Sequence, residues 1–220
     1  MLDRRTKSKQ NLLRIIIISL IACILCIGFG IHNVYMGMPS KDTLKTSQIE
    51  VPLLLNSEIV LAEEAEVNVI LWFENGEIPL GIWTKKPMPN WNWDYKELKT
   101  GNGNIAVTIS GHCLIDKNEE SNLYSWYTIM AQQMAKTDGH IYLDERVPQL
   151  VDIAAYLSKT NALPSQWALQ GDMVSIAGYQ SNFNNSVIAG QDLVNIQLLS
   201  RGKNTEGQTV LAMPVLLEEF

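Results

Sequence analysis

Cysteine and histidine are scarce here, three of each in 220 residues. So few cysteines exclude a disulfide-stapled scaffold. Cys23 and Cys26 lie inside an apolar run, where C-x-x-C spacing is neither a redox nor a zinc motif. Cys113 is then alone in the remainder, so it reads as a small packed hydrophobe. Charge is modest at 18% against 46% hydrophobic residues, which excludes a disordered or fibrous chain. Bases are outnumbered 17 to 23, which argues against a general nucleic-acid binder. No G-x-S-x-G, H-E-x-x-H or calcium-loop signature occurs.

What is present is uneven. Arg4, Arg5, Lys7, Lys9 and Arg14 crowd the first fourteen residues against Asp3 alone. The seventeen residues from Ile15 to Ile31 then carry no charge. As a helix that run spans roughly 26 Å, close to a bilayer core of about 30 Å. Leu12 and Leu13 lengthen it, with Arg14 able to snorkel. The basic flank stays cytoplasmic by the positive-inside rule, and the remainder lies outside. We therefore divide the chain into a basic tip over 1–14, a transmembrane anchor over 15–37 and a juxtamembrane linker over 38–50. An extracytoplasmic domain fills 51–220. Lipidation at Cys23 and cleavage as a signal peptide are the rival fates, and each exports the same domain. Removing one acid and five bases with the first 31 residues leaves 22 acidic and 12 basic residues, a net of −10. Such a surface repels phosphate backbones and anionic polymers.

Periodicity predicts a helix over 53–65 and a hairpin from Val67–Phe73 through Asn75-Gly76 to Ile78–Ile82. Residues 87–104 read as a polar, aromatic connection. A strand follows from Ile105 to Ile115. Leu123, Trp126, Tyr127, Met130, Ala131 and Met134 then mark an amphipathic helix over 119–137. Ile141–Leu143 is a short strand and Val147–Leu163 a second helix. Four strands close the chain, Gln166–Gln170, Met173–Gln180, Asp192–Leu199 and Gln208–Leu217. Helices followed by consecutive strands give an α+β fold, one antiparallel sheet with helices on one face.

Chemistry-bearing patterns are weak. Gly101-Asn102-Gly103-Asn104-Ile105-Ala106 fits G-x-G-x-x-A but leads into a strand, where no helix N-terminus awaits a pyrophosphate. Ser200-Arg201-Gly202-Lys203 fits S-x-x-K but sits at a strand end. His112 and Cys113 are neighbours on a strand and must face opposite ways; a nucleophile–base pair would need a partner from elsewhere, and His140 is the only candidate. Glu119-Glu120 at a helix start suits the helix dipole better than a glycosidase pair. Asp144-Glu145 is a second acidic neighbour pair. The stretch Asn90-Trp91-Asn92-Trp93-Asp94-Tyr95, if extended, puts Trp91, Trp93 and Tyr95 on one face. They are the candidate partner-binding aromatics, against a plainer role covering the core. No catalytic residue, metal or cofactor is assigned.

The last third adds a resemblance. The runs Gln166-Trp167-Ala168-Leu169-Gln170, Met173-Val174-Ser175-Ile176-Ala177-Gly178-Tyr179, Val194-Asn195-Ile196-Gln197-Leu198-Leu199-Ser200-Arg201 and Gln208-Thr209-Val210-Leu211-Ala212-Met213-Pro214-Val215, with the Glu218-Glu219-Phe220 end, resemble the C-terminal half of the YwmB family. These are exported proteins of spore-forming Gram-positive bacteria with a TATA-box-binding-protein-like fold. The resemblance implies a curved antiparallel sheet with helices on its convex side, built from two related halves. It carries no biochemical activity, and a fold shared with a DNA-bending protein is no evidence of DNA binding. The expectation is a single-pass, non-catalytic domain outside the cytoplasmic membrane that binds a protein partner or cell-envelope material. An envelope hydrolase with an unrecognised site and a structural part of an envelope complex are the alternatives.

Overall fold

The computed structural model describes residues 53–82, 85, 87, 90–99, 105–137, 139–203 and 206–217. They belong to one compact unit, Gln48–Phe220. The basic tip with Arg4, Arg5, Lys7, Lys9 and Arg14, the anchor and the linker lie outside the described residues. Among the described residues no helix is long and apolar enough to cross a membrane.

The first element is a 3-10 turn, Leu55–Ser57, in place of the three-turn helix expected over 53–65. Leu53, Leu54 and Leu55 are all buried. Three consecutive buried side chains do not fit one stripe of an amphipathic helix, but they fit a tight turn pressed into a core. Glu58 then adopts a left-handed conformation, φ 62°, and ends the turn.

Strand β1, Glu64–Phe73, alternates cleanly, with Ala65, Val67, Val69, Leu71 and Phe73 buried. It pairs antiparallel on both sides, with β3 (Ile105–Asp116) and β4 (Gly139–Val147). That explains why the expected hairpin is not formed. The turn at Asn75-Gly76 exists, with Gly76 at φ 71° and its N–H donating to the Phe73 carbonyl at 3.3 Å. The return segment 78–82 has no free edge of β1 to join, and is not a strand. The strand the sequence missed is β2, Asn92–Lys99, which borders β3.

Helix α1, Lys117–Met134, begins two residues before its expected start because Asp116 caps it. The Asp116 carboxylate accepts from the N–H groups of Asn118 and Glu119, and Glu119 reaches back to the Asp116 N–H, a capping box. Helix α2, Ile153–Thr160, is shorter than the stretch expected from 147. Val147 belongs to β4, and Asp152 caps the helix by accepting from the Ala155 N–H at 3.0 Å. Asn161, at φ 53°, ends it.

Then come β5 (Leu163–Gln170), β6 (Met173–Tyr179), a small hairpin of β7 (Val187–Ala189) and β8 (Asp192–Val194), then β9 (Ile196–Lys203) and β10 (Glu206–Met213). The expected strand over 192–199 is split at buried Asn195. Its side chain accepts from the Gln180 N–H at 2.7 Å and donates to the carbonyls of Gln180 and Phe183.

Eight strands form one antiparallel sheet in the order β2-β3-β1-β4-β10-β9-β6-β5. The four strands before residue 150 lie together at one end, and four strands after residue 160 at the other. Both helices join one core cluster with β1: Leu123, Tyr127, Met130 and Met134 from α1, and Ile153, Tyr156 and Leu157 from α2. Among the described residues no helix lies on the opposite face of the sheet. The α+β expectation, one antiparallel sheet with helices on one face, is what the structure shows.

Candidate functional site

The aromatic run is extended, and its rings share the helix-covered side of the sheet. Trp91 is fully buried, and Trp93 is half-buried against the same core. Their ring centroids are 5.7 Å apart, and Trp93 lies 6.2 Å from Trp126 of α1. Gly111 of β3 makes the room: a Cβ there would come within 2.6 Å of the Trp93 ring. Of the three candidate partner-binding rings only Tyr95 is exposed, its hydroxyl donating to Glu97 at 2.7 Å, and Trp91 and Trp93 take the core-covering role. Two of the three are thus committed to packing, because an apolar side of an edge strand still needs cover.

The helix-free face shows a different constellation. Strand registers align one transverse row: Asn92, His112, Asn68, Asp144, Ala212, Gln197, Ala177 and Gln166. At the β5 end this row is occupied by the chain itself. Gln166 donates to the Ala189 carbonyl at 2.6 Å and to Asp192 at 3.0 Å, which ties down the β7–β8 hairpin. Gln197 accepts from the Leu216 N–H at 2.9 Å and donates to Ser175 at 3.0 Å. At the junction, Asp144 accepts from Asn68 at 3.0 Å and from Arg146 Nε at 2.6 Å. Arg146 Nη2 is buried with no partner among the described residues.

At the β2 end the row opens into a cleft of about 360 Å³. Asn68, Asn92, Asp94, Lys96, Ser110 and His112 line it. His112 Nε2 lies 3.2 Å from Glu66. Register places Ile70 and Tyr142, then Trp72 and His140, in the next rows of the same face. The signal for this surface was in the sequence. It is the off-core phase of the β1 alternation, Asn68, Ile70 and Trp72, but nothing there said which strands would flank it.

A second group is buried on the other side. Glu145 of β4 and Glu120 of α1, one from each acidic dipeptide, come together in the core. Glu145 accepts from the N–H groups of Leu54 at 2.5 Å and Leu55 at 3.2 Å. Glu120 accepts from the Asn56 N–H at 3.1 and 3.2 Å. Burial, and then the neighbouring Glu120 charge, hold the Glu145 carboxyl well above the usual range. Burial also raises Glu120. Two buried carboxyls at hydrogen-bond range share a proton more readily than they both ionise. With their acceptors filled by backbone, they pin the 53–57 turn.

The other patterns stay apart. His112 is on the helix-free face, and Cys113 points to the helix side, its thiol raised by burial. His140 lies four residues along β1 from the His112 register, beside Trp72. Ser200 is in β9, at 3.2 Å from the Thr209 hydroxyl. Gly101–Asn104 lie outside the described residues. Among the described residues no cluster of three His, Cys, Asp or Glu could hold a metal ion. No family model matches this chain, and no curated protein matches it.

Proposed function

We propose that the chain is a non-catalytic binding domain displayed outside the cytoplasmic membrane by its N-terminal apolar segment, with the helix-free sheet face as its binding surface. The observation that carries this reading is the cleft over β1, β2 and β3, with its amides, hydroxyl and imidazole. At the other end of the same face, the chain's own segments occupy the corresponding amides. Two amide side chains, Asn68 and Asn92, with Ser110 and His112 offer donors and acceptors in a row. Trp72 and Tyr142 stand beside them. Polar groups next to aromatic rings suit a hydroxyl- and amide-bearing ligand such as envelope glycan.

The arrangement of the sheet supports the YwmB resemblance and the two-halved, TATA-box-binding-protein-like architecture it implies, since each half supplies four adjacent strands. Nucleic acid is not the partner we propose. Glu66, Asp94 and Asp144 sit on this face, and the chain beyond residue 31 has a net charge of −10. Phosphate binding requires the opposite sign.

Co-sedimentation with purified insoluble cell-wall glycan tests the reading. The wild-type protein should pellet with the glycan, and Asn92→Ala with His112→Ala should stay in the supernatant with an unchanged circular dichroism spectrum. Equal recovery of both in the supernatant would remove glycan as the ligand. Membrane display is checked separately. Alkaline extraction should leave the full-length chain in the membrane pellet, and recovery as soluble protein with a new N-terminus near residue 38 would refute the anchor.

A further inference from the structure

The eight-stranded sheet ends in β2 on one side and β5 on the other. An end strand presents unpaired N–H and C=O groups, and proteins guard it with charge, proline or bulges. β2 is guarded: Asp94, Lys96, Glu97 and Lys99 fall within its eight residues. β5 carries no charge at all. Pro164 and an irregularity between Pro164 and Gln166 interrupt its first part, but Gln166–Gln170 has no such device. Trp167 and Leu169 are 80% and 66% exposed there. They stand on the helix side of the sheet, opposite Ile176 and Val174, which are half-buried against the core.

The backbone direction follows from the turn. Gly171-Asp172 joins β5 to β6 and closes on the Gln170–Met173 pair. A two-residue hairpin loop closes on a hydrogen-bonded pair. By alternation the backbone groups of Gln170, Ala168 and Gln166 face β6, and those of Leu169 and Trp167 face outward.

We propose that a second copy of this chain docks here, β5 against β5, antiparallel about a two-fold axis at Ala168. In that register Trp167 of each copy exchanges both backbone hydrogen bonds with Leu169 of the other. The outward-facing groups are thus the ones that meet. The side chains match as well. Each indole lies across from a leucine, and Ala168 leaves the axis uncrowded; on the other face Gln170 falls opposite Gln166, whose amide stays on the β7–β8 hairpin of its own chain. A self-complementary patch is what an isologous interface demands. The chain beyond residue 31 has a net charge of −10, so two copies repel over much of their surface, and uncharged β5 is the end strand on which a copy pairs with no like charges opposite. This inference stands apart from the ligand surface, which lies towards β2 on the other face.

Disulfide trapping in the full-length, membrane-embedded chain tests it. Cys23→Ser and Cys26→Ser are combined with Ala168→Cys, half-buried Cys113 being retained. A non-hydrogen-bonded antiparallel pair holds its Cα atoms about 4.5 Å apart, inside the range a disulfide spans. Mild oxidation should convert most of the protein to a covalent dimer on a non-reducing gel. Gln170→Cys in place of Ala168→Cys faces Gln166 rather than itself, and should give about tenfold less dimer. Adding Trp167→Lys to Ala168→Cys should abolish the dimer while leaving the circular dichroism spectrum intact, because the side chain is exposed. The proposal is overturned by a folded Ala168→Cys protein that stays monomeric, by equal trapping at 168 and 170, or by a trapped adduct with a different protein.

Discussion

Replacing Glu145 by glutamine should remove a pH dependence of stability that sets in above pH 4.5. The Glu145 carboxyl is fully buried, faces Glu120 and lies beside buried Tyr156, and it accepts the N–H groups of Leu54 and Leu55. Burial and the Glu120 charge raise it well above its ordinary value of 4.5. The folded protein therefore holds a proton that the unfolded chain releases. Its contribution is full below 4.5 and falls as pH rises towards the folded value. While the folded carboxyl keeps its proton, stability falls by up to about 1.4 kcal/mol per pH unit above 4.5. Glutamine is permanently neutral and removes that slope. It can still donate to Glu120, but it has one oxygen for two backbone donors, a loss of about 1 kcal/mol. The variant should therefore be about 1 kcal/mol less stable near pH 4.5, and the wild type should lose that advantage as the pH rises. Urea unfolding of the full-length protein in detergent micelles, followed by tryptophan fluorescence, measures both. Parallel stability curves for the two proteins above pH 4.5 would refute the shared-proton reasoning. Glu145→Ala supplies a control. It strands the Leu54 and Leu55 donors and should cost about 2–5 kcal/mol near pH 4.5.

Two further substitutions probe the packing. Gly111→Ala places a methyl group within 2.6 Å of Trp93 and 2.8 Å of Trp91, which should cost about 1–3 kcal/mol and alter tryptophan emission, read by fluorescence and thermal unfolding. Asn195→Ala removes three buried hydrogen bonds around Gln180 and Phe183, and should lower stability by about 2–4 kcal/mol while raising amide exchange over 180–195.

Legibility followed the range of the interaction. The capped helix α1 was readable because its signals are local, an apolar stripe from Leu123 to Met134 and acids near its start. The β1 and β3 strands were readable for the same reason. The 53–65 helix failed because Glu120 and Glu145, about 65 and 90 residues away, hold the backbone of Leu54 to Asn56 in a single turn. The hairpin after Asn75-Gly76 failed because β3 and β4 take both edges of β1. Trp91 and Trp93 showed their period of two, but not which side of the sheet the core would claim.

By itself the sequence determined the α+β class, the amphipathic helix α1 and the side-chain phase of β1 and β3. Each depends on periods of two or 3.6 residues and on caps within a few positions. Strand order, the cleft on the face opposite the helices, the buried carboxyl pair and the place of uncharged β5 at the end of the sheet were decided only by tertiary structure. Each joins residues distant in the chain, and sequence spacing carries no record of which strand edges remain free once the others have paired.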